Sequence, residues 1–196
     1  MPYPWSEFLQ LGLVVPAFYP EIRERKGPIL RVLKKLAADS FFQAMEFSGA
    51  EERSVQKEII DVLKTNGKTL VFSGGSYCYQ GQNNLHDLDE EKRRKALSNV
   101  EKIIDEAVEY GCKILYVMGF EAPASEERAK ALEKFSSSMK ALSGYARKKN
   151  PSSPLTISLE NFYILRQSPF LLGLSREVAQ LLRNLRRDHP NLGLTF

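Results

Sequence analysis

Short apolar runs, typical of buried strands, alternate along this chain with amphipathic segments of helical period. The strand-like runs are LGLVVPAF (11–18), FFQAMEFS (41–48), KTLVFSGG (68–75), KILYVMGF (113–120), PLTISLENF (154–162) and NLGLTF (191–196). Five helices are predicted between them, near 29–39, 54–66, 90–110, 125–149 and 175–187. The pattern is therefore a βα unit repeated five times, followed by a sixth strand.

This alternation predicts an α/β fold with parallel strands and right-handed helical crossovers. Two architectures suit six such strands: a doubly wound open sheet, or a (β/α)8 TIM-barrel type that is incomplete in this chain, since a full barrel takes about 250 residues. Periodicity does not separate them. A doubly wound nucleotide-binding fold would carry a glycine-rich turn after strand one, and PAFYPEIRERKGP has none. We interpret residues 1–196 as one partial domain.

Composition narrows the function classes only a little. Apolar residues make up 43% of the chain and charged residues 27%, which is enough for a sizeable core. The net charge of +4 is spread along the chain and is explained by solvated helix faces better than by nucleic-acid binding. Two cysteines form no disulfide framework, no signal peptide is recognisable, and no apolar run approaches the roughly 20 residues of a membrane span. We expect a cytoplasmic protein without a membrane partner.

Candidate chemistry lies where strands end, because sites in parallel α/β folds form at the C-terminal ends of strands. The polar residues there are Glu46, Ser73, Ser76, Glu121, Glu160 and Asn161. Glu160 stands out, since a carboxylate inside an apolar run is costly to bury without a partner. A metal ion or a basic side chain from a neighbouring strand would remove that cost. For Glu46, a structural ion pair or a substrate hydrogen bond is favoured over metal ligation.

The polar segment after strand three is the second candidate. Its residues Tyr77, Tyr79, Gln82, Asn83 and Asn84 could hydrogen-bond a polyol or stack on a sugar ring. The alternative is a surface loop whose Asn and Asp residues only supply turns and a helix cap. His86 is interpreted as a solvated loop histidine, and His189 as a helix-end residue without a catalytic role.

Three stretches taken together resemble a known family. They are ISLENF, the segment NNLHDLDEEKRRKALSNVEKIIDEAVEYGCKILYVMGF and the ending HPNLGLTF. The resemblance is to the sugar phosphate isomerase/epimerase family, the xylose isomerase-like TIM barrels, which are related to endonuclease IV-like barrels. The family pattern matches Asn84, Leu85, Asp89, Arg93 or Arg94, Ala107 and Gly111. With only two histidines and a modest charge, the DNA-cleaving branch is disfavoured.

The resemblance implies a metal-dependent isomerase or epimerase acting on a small sugar or sugar phosphate. Glu160 would be both a ligand of a divalent cation (Mn, Mg, Co or Zn) and a proton-transferring group. From their positions at strand ends and in the polar segment, we expect substrate contacts from Glu46, Tyr79, Asn83, Asn84 and Asn161. The family's other metal ligands are expected beyond residue 196, which predicts a truncated barrel that is inactive alone unless a second chain or a homo-oligomer completes it. The alternative is a non-catalytic partial barrel that serves as a binding or assembly module.

Overall fold

Six strands alternate with helices, as the hydrophobic pattern predicts. A computed structural model describes residues 8–23, 25–65, 67–80, 82–161 and 170–195. The strands are β1 (Gly12–Val14), β2 (Ala44–Phe47), β3 (Thr69–Ser73), β4 (Ile114–Met118), β5 (Thr156–Glu160) and β6 (Leu192–Thr195). The helices are α1 (Val15–Phe18), α2 (Ile29–Ala37), α3 (Arg53–Lys64), α4 (Gly75–Gln80), α5 (Glu90–Glu109), α6 (Arg128–Lys149) and α7 (Ser175–Leu185). No helix in these ranges is both long and apolar enough to cross a membrane.

Two short helices were not predicted. The expected strand 11–18 is wrong in its second half, because Val15–Phe18 form α1. Pro16 explains the difference: its fixed φ and missing N–H suit the first turn of a helix and remove a donor from a strand ladder. Helix α4 begins directly after β3, inside the segment that was interpreted as a polar loop.

The described chain divides into two compact units. The first holds the residues up to Phe72 together with Glu106–Lys113, and the second holds Ser73–Asp105 and the residues from Ile114 onward. In the first unit β2 pairs in parallel with both β1 and β3. In the second unit β5 pairs in parallel with both β4 and β6. The assignment of residues 1–196 to one partial domain stays a prediction.

Aromatic packing and a partly buried ion pair organise the first unit. The Tyr110 ring lies 5.3 Å from the Phe47 ring and 6.2 Å from the Phe72 ring, measured between centroids. Beside it Arg25 and Glu106 form an ion pair at 2.6 Å. Gly49 has a φ of 74°, and any side chain there would collide with the Glu106 carboxylate. This close approach requires glycine at the turn that follows β2.

In the second unit the two faces of the strands differ in chemistry. On one face Leu115, Val117, Ile157 and Leu159 are fully buried, where α6 packs on β5 and α7 on β6. Because side chains alternate along a strand, the opposite face carries Tyr116, Met118, Ser158, Glu160 and Thr195. We call this second set the inner face. It is polar in four of its five positions.

The family-like segment 84–93 builds the entry to α5. The Asn84 side-chain oxygen accepts the His86 N–H at 3.0 Å, which fixes a tight turn. The Asp89 carboxylate then accepts the N–H groups of Glu91 and Lys92 at 2.9 and 3.2 Å. These are otherwise unsatisfied donors of the first helical turn, so Asp89 acts as a helix cap.

Arg93, rather than Arg94, is the buried arginine of this segment. Its guanidinium donates to both carboxylate oxygens of Glu90, at 2.7 and 2.8 Å, and to the Ser138 hydroxyl at 3.0 Å. Ser138 in turn donates to the Leu85 carbonyl at 2.7 Å, which ties α6 to the turn before α5. The Arg94 side chain is 72% exposed. The two neighbours therefore make a matched pair for testing this network.

Replacing Arg93 by alanine should lower the free energy of unfolding by about 2 kcal/mol, because buried Ser138 loses a charge-assisted hydrogen bond and Glu90 loses its bidentate partner. Arg94→Ala should change it by less than about 0.5 kcal/mol, as expected for an exposed side chain. Urea unfolding of the two variants and the parent protein measures both values. Equal losses in the two variants would contradict a structural role specific to Arg93.

Candidate active site

Glu160 is the last residue of β5, at the C-terminal end of the strands of the second unit. It pairs in register with Met118 of β4 and Thr195 of β6. Its side chain is half-buried, whereas Leu159, directly before it, is completely buried on the opposite face. The strand thus holds the carboxylate at the inner face, where the sequence predicted candidate chemistry.

Hydroxyl groups line the inner face next to Glu160. The hydroxyls of Ser73, at the end of β3, and Tyr116 share a hydrogen bond of 2.6 Å. The hydroxyls of Ser158 and Thr195 share another of 2.6 Å. Beyond Glu160 itself, strands β4, β5 and β6 contain no acidic or basic residue. Glu160 is therefore the single ionisable carboxylate on a face of neutral hydrogen-bonding groups.

Gly75 brings the start of α4 against this face. A Cβ atom at Gly75 would overlap the Tyr116 ring and would lie 3.4 Å from Glu160 Oε2. The Tyr116 ring therefore occupies the space that a side chain at position 75 would need, and the backbone of Gly75 lies close to that ring. It follows that Gly75, Tyr116 and Glu160 lie close together in one site, to which α4, β4 and β5 each contribute.

The electrostatic setting of Glu160 is unusual for a carboxylate. Within the described ranges it has neither an ion pair nor a hydrogen bond, and burial raises the pKa of its carboxyl group above the ordinary value. Glu90 is the contrasting case, because hydrogen bonds from Arg93 and Lys134 lower the pKa of its carboxyl group. The alternative interpretation, in which a neighbouring Lys or Arg neutralises Glu160, therefore gains no support from the part of the chain that is described.

The other predicted substrate residues lie in different surroundings. Glu46 is in β2 of the first unit, whereas Glu160 is in the second. Asn161 donates its amide N–H to the Ser175 hydroxyl at 2.8 Å, at the start of α7. Its side-chain oxygen is buried and has no hydrogen-bond partner among the described residues. Tyr79 belongs to α4, but its side chain lies outside the described part.

Asn83 and Asn84 are already engaged in internal contacts. Asn83 is 4% exposed, donates to the Tyr77 carbonyl at 3.2 Å and accepts from the Asn99 amide at 2.9 Å. Asn84 uses its side-chain oxygen for the turn described above, and no described residue bonds to its amide nitrogen. A substrate role for these residues stays a prediction, and the geometry leaves Asn84 better placed for it than Asn83.

The interpretation of His86 as a solvated loop residue is wrong. It is 3% exposed, its ring packs near Phe135 at 6.4 Å, and Nε2 lies 3.1 Å from the Glu121 carbonyl. Burial lowers the pKa of its imidazole. The turn at Asn84 folds the residues after it inward against α6, a long-range contact that sequence patterning does not report. His189 bonds to Ser143 before β6, at the opposite end of that strand from the Glu160 site.

Tyr116 and Gly75 are the site residues that sequence reasoning missed. Tyr116 lies two residues before Met118 in KILYVMGF, so both side chains point to the same face of the strand. This alternation alone would have placed Tyr116 on the face of a strand-end site. Nothing in the sequence signals the contact of Gly75 with Glu160, because it depends on how closely α4 approaches the strands.

Comparison with known proteins decides the family. Residues 31–196 match the family described as the xylose isomerase-like TIM barrel. The chain belongs to this family. The barrel fold expected from the resemblance is thereby confirmed, and the six alternating strands agree with it. No curated protein matches the sequence.

Solved barrels of similar fold include a D-tagatose 3-epimerase-like protein, with 17% identity and a TM-score of 0.73 over 96% of this chain. A D-psicose 3-epimerase with D-tagatose from Clostridium cellulolyticum H10 has 15% identity and a TM-score of 0.71 over 95%. IolI with a zinc atom has 11% identity and a TM-score of 0.68 over 95%. The chain spans 64%, 62% and 62% of these structures, less than two thirds of their length.

The barrel family implies a divalent metal, and Glu160 partly fits that role. A half-buried carboxylate that no described residue pairs is a suitable oxygen ligand for a hard cation. Within the described ranges, however, no group of three His, Cys, Asp or Glu residues is arranged to hold a metal ion. These residues therefore supply one candidate ligand and do not complete a ligand set.

Glu160→Gln should raise the free energy of unfolding at pH 7. Burial raises the folded-state pKa above the unfolded value near 4.5, so the ionised carboxylate disfavours the folded state above the folded pKa. This penalty disappears as the pH falls below the unfolded pKa, where both states are protonated. Urea unfolding at pH 7 and at pH 4 measures the difference, which should shrink at the lower pH.

Glu90→Gln is the matched control with the opposite sign. Arg93 and Lys134 lower the pKa of Glu90, so its charge stabilises the folded state above the unfolded pKa, and that stabilisation is lost as the pH falls. Glu90→Gln should therefore destabilise the protein at pH 7 and less at pH 4. A Glu160→Gln variant that behaves like Glu90→Gln would reveal a cationic partner for Glu160.

Proposed function

We propose that this protein is a sugar isomerase or epimerase-like barrel in which Glu160 transfers a proton at the carbon next to a sugar carbonyl. The observation that carries the proposal is the carboxylate of Glu160, which no described residue pairs, on a hydroxyl-lined face at the C-terminal end of β5. In barrels of this type, sites form at that end of the strands. Epimerases among the proteins of similar fold support the choice of sugar as substrate class.

Glu160 suits the chemistry of a general base. Its pKa is raised by burial, which brings the group closer to neutral pH and strengthens it as a proton acceptor. In the proposed step the carboxylate removes a proton from the carbon next to the carbonyl, and the electron pair of that C–H bond moves onto the carbonyl oxygen. Returning the proton to the same face restores the substrate, whereas epimerisation needs delivery to the opposite face by a second group.

The hydroxyl-lined inner face orients the substrate in this proposal. Tyr116, Ser158 and Thr195 can each donate and accept hydrogen bonds, which suits the hydroxyls of a small polyol. Asn84, Asn161, Glu46 and Tyr79 remain proposed substrate contacts, of which Asn84 keeps a donor and Asn161 an acceptor that the described chain does not use. The proposal involves neither nucleic acid nor a membrane, and it places the protein in the cytoplasm.

A divalent metal is part of the proposal, with Glu160 as one ligand. When bound, Mn, Mg, Co or Zn would stabilise negative charge on the substrate oxygens. IolI, one of the proteins of similar fold, contains a zinc atom. Since the described residues do not complete a ligand set, further ligands have to come from elsewhere, including a second copy or a second chain.

The alternative function is a non-catalytic binding or assembly module. The incomplete ligand set favours it specifically, because one carboxylate does not hold a cation tightly. Under either function we expect no net epimerisation by this chain alone. The two functions differ in whether Glu160 removes and returns a proton at the carbon next to the sugar carbonyl.

Proton exchange separates the two functions. In D2O with Mn²⁺, the protein should exchange the C3 proton of D-fructose or D-psicose without net epimerisation, because one base can remove and return a proton on a single face. Glu160→Gln should lower the exchange rate by about 100-fold or more, which is the usual contribution of a general base. Proton NMR of the C3 signal measures the rate, and calorimetry measures Mn²⁺ binding by the same variants.

Glu127→Gln, an exposed carboxylate before α6, is the control and should leave both quantities unchanged. Exchange that survives in Glu160→Gln would remove Glu160 from the proposed role. The absence of exchange by the parent protein, together with unchanged Mn²⁺ binding in Glu160→Gln, would favour the non-catalytic module.

A further inference from the structure

A second polar cavity lies within the second unit, beside the N-terminal half of α5. It has a volume of about 500 Å³, which is in the range of small-molecule sites. Its lining includes Gln82, Asn84 and Asp87 from the segment before α5, Lys92 and Lys95 of α5, and Phe120 after β4. We call it the α5 cleft. Asn84 lines it and also belongs to the family pattern, whereas Lys92, Lys95 and Phe120 have no role in the chemistry proposed for Glu160.

No described residue supplies a counter-charge to the two lysines of the α5 cleft. In the run Lys92-Arg93-Arg94-Lys95, the two arginines form ion pairs with Glu90 at 2.7 and 3.9 Å. Lys92 and Lys95 are one helical turn apart and line the cavity, and within the described ranges neither side-chain ammonium group forms an ion pair or a hydrogen bond. In this run the two arginines pair with Glu90, whereas Lys92 and Lys95 have no described partner and are available to a ligand.

The other lining groups supply further donors and one carboxylate. Asn83 and Asn99 are bonded to each other and form a fixed part of the wall. Asn84 has its oxygen engaged in the turn, which leaves its amide N–H groups for a ligand. Asp87 is the single carboxylate among the lining residues, and one of its oxygens already accepts the Asp89 N–H at 2.9 Å. The cleft therefore offers an excess of positive charge and of hydrogen-bond donors.

We propose that the α5 cleft binds the phosphate group of a small ligand, with Lys92, Lys95 and the Asn84 amide as donors. A phosphate group offers several acceptor oxygens and negative charge, which match this donor set. Phe120 adds an aromatic face at the end of the cavity. Phosphate binding is independent of the chemistry proposed for Glu160.

The cleft also has a geometric link to the Glu160 site. Phe120 follows Met118 by two residues, and Met118 is the β4 neighbour of Glu160 in the register. A ligand whose phosphate lies in the cleft could extend past Phe120 toward the inner face. The inference that this ligand is a phosphorylated sugar rests on the proposed function, whereas the phosphate site itself does not.

Titration with inorganic phosphate tests the site directly, followed by calorimetry or by ³¹P NMR. Lys92→Ala and Lys95→Ala should each weaken binding by about tenfold, since each removes a charge-assisted hydrogen bond. Lys130→Ala, an exposed lysine of α6 that does not line the cleft, should change the dissociation constant by less than about twofold. All three lysines lie on helix surfaces, so the variants should fold like the parent, which circular dichroism checks.

The affinities for ribulose 5-phosphate, ribulose and inorganic phosphate together test whether the bound ligand is a phosphorylated sugar. Tighter binding of the phosphorylated sugar than of inorganic phosphate, lost in Lys92→Ala and Lys95→Ala, supports one extended site. Equal affinity for ribulose 5-phosphate and for inorganic phosphate would support the phosphate site but overturn its proposed link to a sugar. Glu160→Gln should leave phosphate binding intact even if the isomerase proposal fails. No measurable phosphate binding, or binding unaffected in both lysine variants, overturns the inference.

Discussion

A carboxylate to which the described residues give no counter-charge is the constraint around which the site of this protein is organised. Glu160 is half-buried at the end of β5, and the described chain gives it no cation and no hydrogen-bond donor. Burying a charged group without a partner costs free energy. Proteins retain such a group mainly where a ligand or a reaction uses it. Glu90 in the same unit is the contrasting case, an exposed carboxylate with a bidentate arginine and a lysine around it.

The fold presents this group through contacts made by three consecutive strands. Strand alternation puts Tyr116, Ser158, Glu160 and Thr195 on one face, while the opposite face packs on α6 and α7. Gly75 lets the chain after β3 approach that face closely. The turn at Asn84, the cap at Asp89 and the buried Arg93 then direct the chain into α5. Family-like positions in this segment thus serve mainly to shape the backbone next to the site.

Sequence patterning predicted the parts of this structure that depend on local periodicity. The six strands, the five long helices and the strand-end position of Glu160 all follow from alternating apolar runs. It failed at Val15–Phe18, where Pro16 favours a helical turn inside an apolar run that otherwise resembles a strand. It also failed for His86 and missed the contact between Gly75 and Glu160, because these depend on residues that are distant in the sequence. Family resemblance supplied the barrel, which periodicity alone left open between two architectures.

The pKa of Glu160 is the quantity that tests this account most directly. Carbon-13 NMR of the side-chain carboxyl groups, with the Glu160 signal assigned by its loss in Glu160→Gln, gives the titration midpoint of that residue alone. The account predicts a midpoint above the ordinary glutamate value of 4.5, as expected for burial without a positive neighbour. A midpoint at or below that value would mean that a cationic side chain neutralises Glu160, which would contradict its assignment as the proton-transferring and metal-binding group.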